Sequence, residues 1–257
     1  FADAIWNLYG LANTIEEAEE RINQCLKIDE NYIYAKLNLS TLKFHQGDQS
    51  LLNNFIKSTH KDHPIIRSLK WVSTLPKLPK LFFNRWSLVE SMINKSKKDR
   101  PFYEFGVWRG TFFKFLIKTY KKGYGFDTFE GLPEDWHATK KGAYSADGII
   151  PNIEGGTFIK GKFQDTLPTF FAEPRPKASI ISFDADLYSS TIFALNYAKS
   201  VIDEHTILIF DEFIVSANWE KDEYKALNEF CSINNFSYEV LAVSYRSGQV
   251  AVKLIGI

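Results

Sequence analysis

The chain predicts an α/β fold: a parallel sheet closed by a C-terminal antiparallel hairpin and preceded by a small all-α domain. Three observations carry that expectation. Residues 1–75 hold helical patterns only. From about residue 100, short apolar runs alternate with helical segments, the mark of a parallel sheet. The chain then ends in two strand-like segments around a short turn, Tyr238–Val243 and Gln249–Leu254 about Ser244-Tyr245-Arg246-Ser247-Gly248.

Composition bounds the rest. A chain of 257 residues, 45% of them hydrophobic, can build one large domain and a small one. Lys and Arg total 31 and so do Asp and Glu, so no global field favours nucleic acid or an anionic membrane. The basic run from Lys95 to Arg100 reads as a solvated helix end, because no aromatic or further basic cluster accompanies it. No apolar run is long enough to span a bilayer, and no secretory leader is visible. Cys25 and Cys231 follow no metal or redox spacing and read as small core residues in a reducing, cytoplasmic setting.

Within residues 1–75, Thr14-Ile15-Glu16-Glu17 is a capping-box pattern with Thr14 as N-cap. Asp29 and Asp48 stand at two further expected helix starts. Ser40-Thr41-Leu42 recurs at Ser73-Thr74-Leu75 with the 33-residue offset that also separates Asp29 from Asp62. That is close to a tetratricopeptide repeat length, and an unrelated helical extension stays open beside it. His60 and His63 have no further ligands nearby and predict no zinc site. Residues 76–100 read as a Pro-containing linker and a lead-in helix.

Residues 101–257 form the expected sheet domain. Phe102–Phe105 is a first strand, Thr111–Tyr120 a helix, Tyr124–Phe126 a second strand, and Phe158–Phe163 a third. Ile180–Phe183 and Ile207–Phe210 are a fourth and a fifth, with a helix from about Thr191 to Val201 between them.

The chemistry-bearing residues stand where strands end. Ile180–Phe183 runs into Asp184-Ala185-Asp186, and Ile207–Phe210 into Asp211-Glu212. Ligands of open α/β sheets bind at the carboxyl ends of strands. Converging carboxylates repel, so a divalent cation with oxygen ligands is their natural resolution. After the first strand, Glu104-Phe105-Gly106-Val107-Trp108-Arg109-Gly110 offers glycines and a helix start to a ligand, although a tight packing turn would use them too. Asp127 closes the second strand, where an acid can accept hydrogen bonds from a ribose diol. Residues 131–156 have little regular pattern and hold Trp136, His137, Tyr144 and Asp147. They read as a lid over an acceptor or as a surface loop, with His137 a solvated loop histidine.

Four segments taken together resemble the macrocin O-methyltransferase family: Glu104–Gly110, Gly125-Phe126-Asp127-Thr128-Phe129-Glu130-Gly131-Leu132-Pro133, Asp184–Thr191, and Asp211-Glu212. The resemblance covers about residues 85–257. It implies a Rossmann-like class I methyltransferase sheet, dependent on S-adenosylmethionine and magnesium and distinguished from dehydrogenase sheets by its terminal hairpin. It further implies that Glu104, Gly106, Arg109 and Gly110 shape the cofactor loop, and that Asp127 with Thr128 holds the ribose. Gln164 and Asp165 would lie near the adenine and Asp184 at the cofactor edge. Asp184, Asp211 and Glu212 would ligate magnesium, and Asp186 would be the general base. Many members carry two aspartates where this chain has Asp211-Glu212.

The implied activity is methyl transfer to a hydroxyl of a sugar or glycosylated small molecule. A metal-dependent glycosyltransferase using Asp184-Ala185-Asp186 as an Asp-x-Asp motif remains open, as does a non-catalytic helical-repeat interaction protein. The expected partner is a small-molecule acceptor, with a protein partner or self-association through the N-terminal helices as a further possibility. Nucleic acid and membrane are not expected partners.

Overall fold

The computed structural model describes residues 6–257, which fall into two compact units, neither contiguous in sequence. One unit contains the chain up to Glu90 with Glu212–Trp219 and Val240–Val250. The other contains Ser91–Asp211, Glu220–Glu239 and Ala251–Ile257.

The first unit is built on helices α1 (Ile15–Ile28), α2 (Ile33–His45), α3 (Ser50–Ile56) and α4 (Pro64–Ser73). Thr14 Oγ1 accepts the Glu17 N–H at 3.2 Å, while the Glu17 carboxylate accepts the Asn13 N–H at 2.9 Å, so the capping box closes one residue further back than the pattern implies. Asp29 is not a helix start. It ends α1 as its C-cap, and its carboxylate accepts the Asn31 N–H in a local turn, so α2 begins only at Ile33. Ala18, Ile22 and Cys25 bury one face of α1 in a cluster with Ala35, Leu42 and Phe83. The linker ends in a short strand, β1 (Lys80–Leu81), which pairs in parallel with β7 (Ser237–Val243) through Lys80 with Ala242 and Leu81 with Val243.

Residues 212–219 belong to this unit through α4. Ser68 Oγ accepts the Val215 N–H at 3.0 Å, and Arg67 donates to the Ala217 carbonyl at 2.7 Å. Trp71 packs on Phe213 and Trp219 with ring centroids 5.6 and 6.0 Å away. Val215 sits at φ +64°, a conformation that a β-branched residue adopts only under constraint.

The second unit begins within α5 (Arg85–Lys95), at Ser91. It runs through β2 (Phe102–Phe105), α6 (Thr111–Tyr120), β3 (Gly123–Asp127), β4 (Gly156–Lys160) and α7 (Phe163–Phe170). It continues with β5 (Ile180–Phe183), α8 (Tyr188–Ala198), β6 (Ile207–Phe210) and α9 (Glu223–Asn234), ending in β8 (Val250–Ile255). The eight-stranded sheet has the order β1-β7-β8-β6-β5-β2-β3-β4. β6, β5, β2, β3 and β4 are mutually parallel. Neighbouring β7 and β8 are joined by residues 244–249, where the Ser244 N–H meets the Gln249 carbonyl at 2.9 Å, closing the expected hairpin. The fourth strand in chain order ends sooner than its apolar pattern implies: Gly161, at φ +144°, turns the chain after Lys160, and Phe163 opens α7 instead of prolonging the strand.

The centre of the sheet is an aromatic ladder. Phe126, Phe105, Phe183 and Phe210 are register partners on β3, β2, β5 and β6, and all are buried. Their rings stack at 4.9, 5.3 and 4.9 Å with interplanar angles of 10–13°. Such pairs add about 0.5–1.5 kcal/mol each beyond the area they bury. No helix of the described residues is long and apolar enough to cross a membrane.

Candidate active site

The ladder sets the site. Each of its four phenylalanines is the last or next-to-last residue of its strand, and the following residues are Asp127, Gly106, Asp184 and Asp211. Strand register therefore lines these four up along the carboxyl edge of the sheet. Between β2 and β5 the chain order reverses, with β3 and β4 beyond one and β6 beyond the other. A ligand crevice opens at such a switch point.

At that point the backbones of the two loops meet. Gly106 has φ +91°, and a β-carbon on it would lie 1.8 Å from the Asp184 carbonyl oxygen. Asp184 in turn donates its N–H to Phe105 O at 2.8 Å. Gly110, at φ +75°, starts α6, and its N–H reaches the Val107 carbonyl at 2.9 Å. The loop between is shaped by Asp127. One of its carboxylate oxygens accepts both the Val107 and the Trp108 N–H at 2.7 Å, and the other accepts the Phe129 N–H at 2.7 Å. Asp127 thus braces the glycine loop with two charge-assisted bonds and its own following loop with a third, and a carboxylate retains capacity for one further donor. Thr128 is turned to its own loop, donating to the Gly131 carbonyl at 2.9 Å. Arg109 lies over the Trp108 ring at 4.9 Å.

The irregular stretch from Gly131 to Gly155 is held at the carboxyl edge by several anchors. Trp108 Nε1 donates to the Ser145 carbonyl at 3.2 Å, and the α-carbon face of Gly110 admits Pro151 and Ile153. Ser189, in the first turn of α8, donates to the Glu134 carboxylate. His137 Nε2 lies 2.8 and 3.0 Å from the two oxygens of Asp222, the residue before α9. His137 is exposed, as a loop histidine was expected to be, and is in addition tied to Asp222. All four of these partners follow strands β2 and β5 or precede α9, so the stretch is tied to segments that leave the carboxyl edge of the sheet.

The remaining expected residues distribute as follows. Glu104 is buried within β2, facing register partners Gly125 and Ser182. Gln164 and Asp165 lie exposed in the first turn of α7, after the turn at Gly161. Asp186 adopts φ +57°, and the Leu187 N–H closes a tight turn onto the Ala185 carbonyl at 2.5 Å. Asp184 and Asp211 stand one residue beyond the paired Phe183 and Phe210. Among the described residues, however, no group of three or more His, Cys, Asp or Glu side chains is placed to hold a metal ion. The set Asp184, Asp211 and Glu212 is thus not a formed metal centre.

Two residues escaped sequence reasoning: Asp222, which no motif marks, and Trp108, which stands in the glycine segment without an assigned role. Only the fold brings Asp222 within reach of a residue 85 positions earlier.

A parallel sheet reversing at β2 and β5, a hairpin at its end, and a glycine loop closing on the first acidic strand end make up the fold of class I S-adenosylmethionine-dependent methyltransferases. No family model matches the chain. It is 28% identical over 141 residues to the 8-demethyl-8-(2,3-dimethoxy-alpha-L-rhamnosyl)-tetracenomycin-C 4'-O-methyltransferase of Streptomyces olivaceus, a match covering 44% of this chain and 53% of that protein. The chain thus spans about half the length of this curated relative. Among solved structures, the O-methyltransferase NovP superposes with a TM-score of 0.51 at 19% identity, covering 67% of this chain and 80% of NovP. CalS11, a calicheamicin methyltransferase, gives 0.50 at 17% identity and covers 94% of both chains.

Proposed function

We propose that the protein is an S-adenosylmethionine-dependent O-methyltransferase whose acceptor is a hydroxyl of a sugar or glycosylated small molecule. The observation that carries the proposal is the packing of the Gly106 backbone on that of Asp184, which sets the glycine loop beside an acidic strand end at the switch point where ligands of such sheets bind. The relative from Streptomyces olivaceus, whose name describes methylation of a rhamnosyl compound, supports the acceptor class.

In this reading the cofactor supplies an electrophilic methyl group on a sulfonium. The loop from Gly106 to Gly110 presents backbone to it, and the start of α6 offers unpaired N–H groups. Asp127 keeps that loop in place and has capacity left for a ribose hydroxyl, with Glu104, Arg109 and Thr128 around it. Gln164 and Asp165 border the adenine end. A sugar hydroxyl is too weak an acid to ionise unaided, so a carboxylate within hydrogen-bond reach must take its proton, and Asp186 is the assigned base. Alignment of the two reactants is worth up to roughly 7–11 kcal/mol, and residues 131–155 are assigned as the cover that excludes water.

Magnesium assistance, which the resemblance implied, enters no step of this reading because the donors Asp184, Asp211 and Glu212 do not form a metal cluster. Cys25 and Cys231 are both buried and are not joined in a disulfide. Self-association through the N-terminal helices is a separate matter that light scattering decides.

The test is calorimetric titration with S-adenosylhomocysteine, followed by methyl transfer to a panel of glycosides, each with and without magnesium. Micromolar binding supports the reading. Folded protein that binds a nucleotide sugar and not S-adenosylhomocysteine would overturn it. A binding heat for magnesium that disappears in Asp184→Asn would restore the metal.

A further inference from the structure

Trp108 takes no part in the steps assigned to the other residues of the glycine loop, yet it is costly to keep. Its backbone is at φ +50°, which a bulky residue adopts only under constraint. Its ring is 44% exposed under the Arg109 guanidinium, so burial offsets that cost only in part. Phe129, Tyr144 and Asp147, in the loops around it, are left-handed too, at φ +59°, +59° and +54°. Strain gathered in this way persists where surrounding bonds over-determine the backbone, and it is a mark of ligand clamps.

The bonds interlock three loops of the second unit. Asp127 accepts the N–H groups of Trp108 and Phe129, each at 2.7 Å. Both of the residues it holds reach residues 145–148. The Phe129 carbonyl accepts the Ala146 and Gly148 N–H groups at 3.2 and 2.8 Å, and the Trp108 indole donates to the Ser145 carbonyl at 3.2 Å. Ala146 also joins Val107 and Phe129 in one buried cluster. The Phe129 arm is backbone, whereas the Trp108 arm depends on an indole N–H, a donor that phenylalanine lacks. From residues 145–148 the bonds run on. Leu132 donates to the Ala143 carbonyl and accepts the Gly142 N–H, both at 2.9 Å. Two residues beyond Leu132, Glu134 accepts the hydroxyl of Ser189, three residues beyond Asp186. The segment from Leu132 to Gly148 therefore joins the glycine loop on one side to the loop of the assigned base on the other.

We infer that Trp108 is a positioning residue that couples acceptor affinity to cofactor occupancy, its indole N–H fixing residues 145–148 to the glycine loop. The cofactor meets the network at Asp127, whose remaining capacity for a donor the ribose takes up. A ribose bound there holds the carboxylate in the orientation that steadies Trp108 and Phe129, and these two steady the cover. Coupling of this kind is reciprocal, so the acceptor tightens cofactor binding by the same factor. This inference rests on the sugar-methyltransferase reading and deepens it.

The test measures the affinity for p-nitrophenyl glycosides, with and without saturating S-adenosylhomocysteine, in the parent, Trp108→Phe and Trp108→Gly. Amide exchange at residues 144–149 is followed in the same samples. Trp108→Phe keeps a ring beside Arg109 and removes the donor, whereas Trp108→Gly removes both and relieves φ +50°. In the parent, S-adenosylhomocysteine is expected to tighten glycoside binding at least about fivefold, the worth of one hydrogen bond, and to slow exchange at residues 144–149. Trp108→Phe is expected to bind S-adenosylhomocysteine alone within about twofold of the parent and to lose about fivefold of that tightening. Trp108→Gly should lose the same factor, because the N–H and not the ring carries the coupling. Parental tightening in Trp108→Phe would overturn the inference, and so would a loss confined to Trp108→Gly. A parent whose glycoside affinity ignores S-adenosylhomocysteine would overturn it as well. If the parent binds S-adenosylhomocysteine but no glycoside, the sugar reading fails and exchange decides. Slowing that is lost in Trp108→Phe then supports the tie, and equal slowing in both proteins overturns it. A folded parent that binds no S-adenosylhomocysteine removes the methyltransferase reading and this inference together.

Discussion

A β-carbon at Gly106 would lie 1.8 Å from the backbone oxygen of Asp184, so the loops after β2 and β5 meet with no room for a side chain between them. The contact is between backbones, and neither partner can swing away as a rotamer would. Gly106→Ala is expected to destabilise the protein by at least about 2 kcal/mol, combining the strain of φ +91° with overpacking. Urea unfolding reads this as a lower midpoint, and S-adenosylhomocysteine binding should disappear even where folding persists. A Gly106→Ala protein with parental stability would mean that the two loops separate freely.

Asp127 accepts the N–H groups of Val107, Trp108 and Phe129, all at 2.7 Å. In Asp127→Asn the amide presents its own donors to one of those groups and carries no charge. Hydrogen bonds to charged groups contribute about 1.5–3 kcal/mol. Asp127→Asn is expected to lose about 2 kcal/mol of stability and at least tenfold in S-adenosylhomocysteine affinity. Calorimetry that finds only the affinity changed would assign Asp127 to the ligand rather than to the loop.

The loop of residues 212–219 stores strain at Val215, φ +64°, and Ser68 Oγ steadies it through the Val215 N–H. The two residues should respond with opposite signs. Val215→Gly removes the steric cost and is expected to melt at the same temperature as the parent or higher. Ser68→Ala leaves that N–H without its acceptor and is expected to cost about 1 kcal/mol. Thermal melts of both variants, compared with the parent, check the contrast.

Burial lowers the pKa of His45 from the ordinary 6.5 to about 4, and its Nε2 has no hydrogen-bond partner among the described residues. The folded state resists protonation, so the unfolded chain takes up the proton first. The associated stability is fully present above about pH 6.5 and is lost as pH falls toward 4, by up to about 3 kcal/mol. His45→Phe preserves an aromatic ring beside Phe44 and Tyr245. Its melting temperature is expected to fall less between pH 7 and pH 4.5 than that of the parent. Parallel curves for the two proteins would show that His45 does not carry the acid sensitivity.

Most of the sheet was legible along the chain because strands buried on both faces are written as short apolar runs. Phe102–Phe105, Thr111–Tyr120, Ile180–Phe183 and Ile207–Phe210 occur where their patterns put them. Boundaries failed where one residue outweighed the pattern, as Gly161 did before Phe163 and as Asp29 did by closing α1. The four residues of the site row were also visible as strand-end positions, since a strand and its exit are local features.

What the sequence by itself determined is therefore the order of elements and the identity of the residues that leave the sheet at Gly106, Asp127, Asp184 and Asp211. Only the tertiary structure decided how those residues are used. Asp127 turns its carboxylate to the N–H groups of a loop about 20 residues earlier, and His137 finds Asp222 across 85 residues. Asp184, Asp211 and Glu212 do not assemble into the metal site that their residue types suggest. The physical reason is that burial and strand period act on neighbours in sequence. Hydrogen-bond partners of a carboxylate, and the room left beside a glycine, depend on which distant backbone the packing brings within about 3 Å.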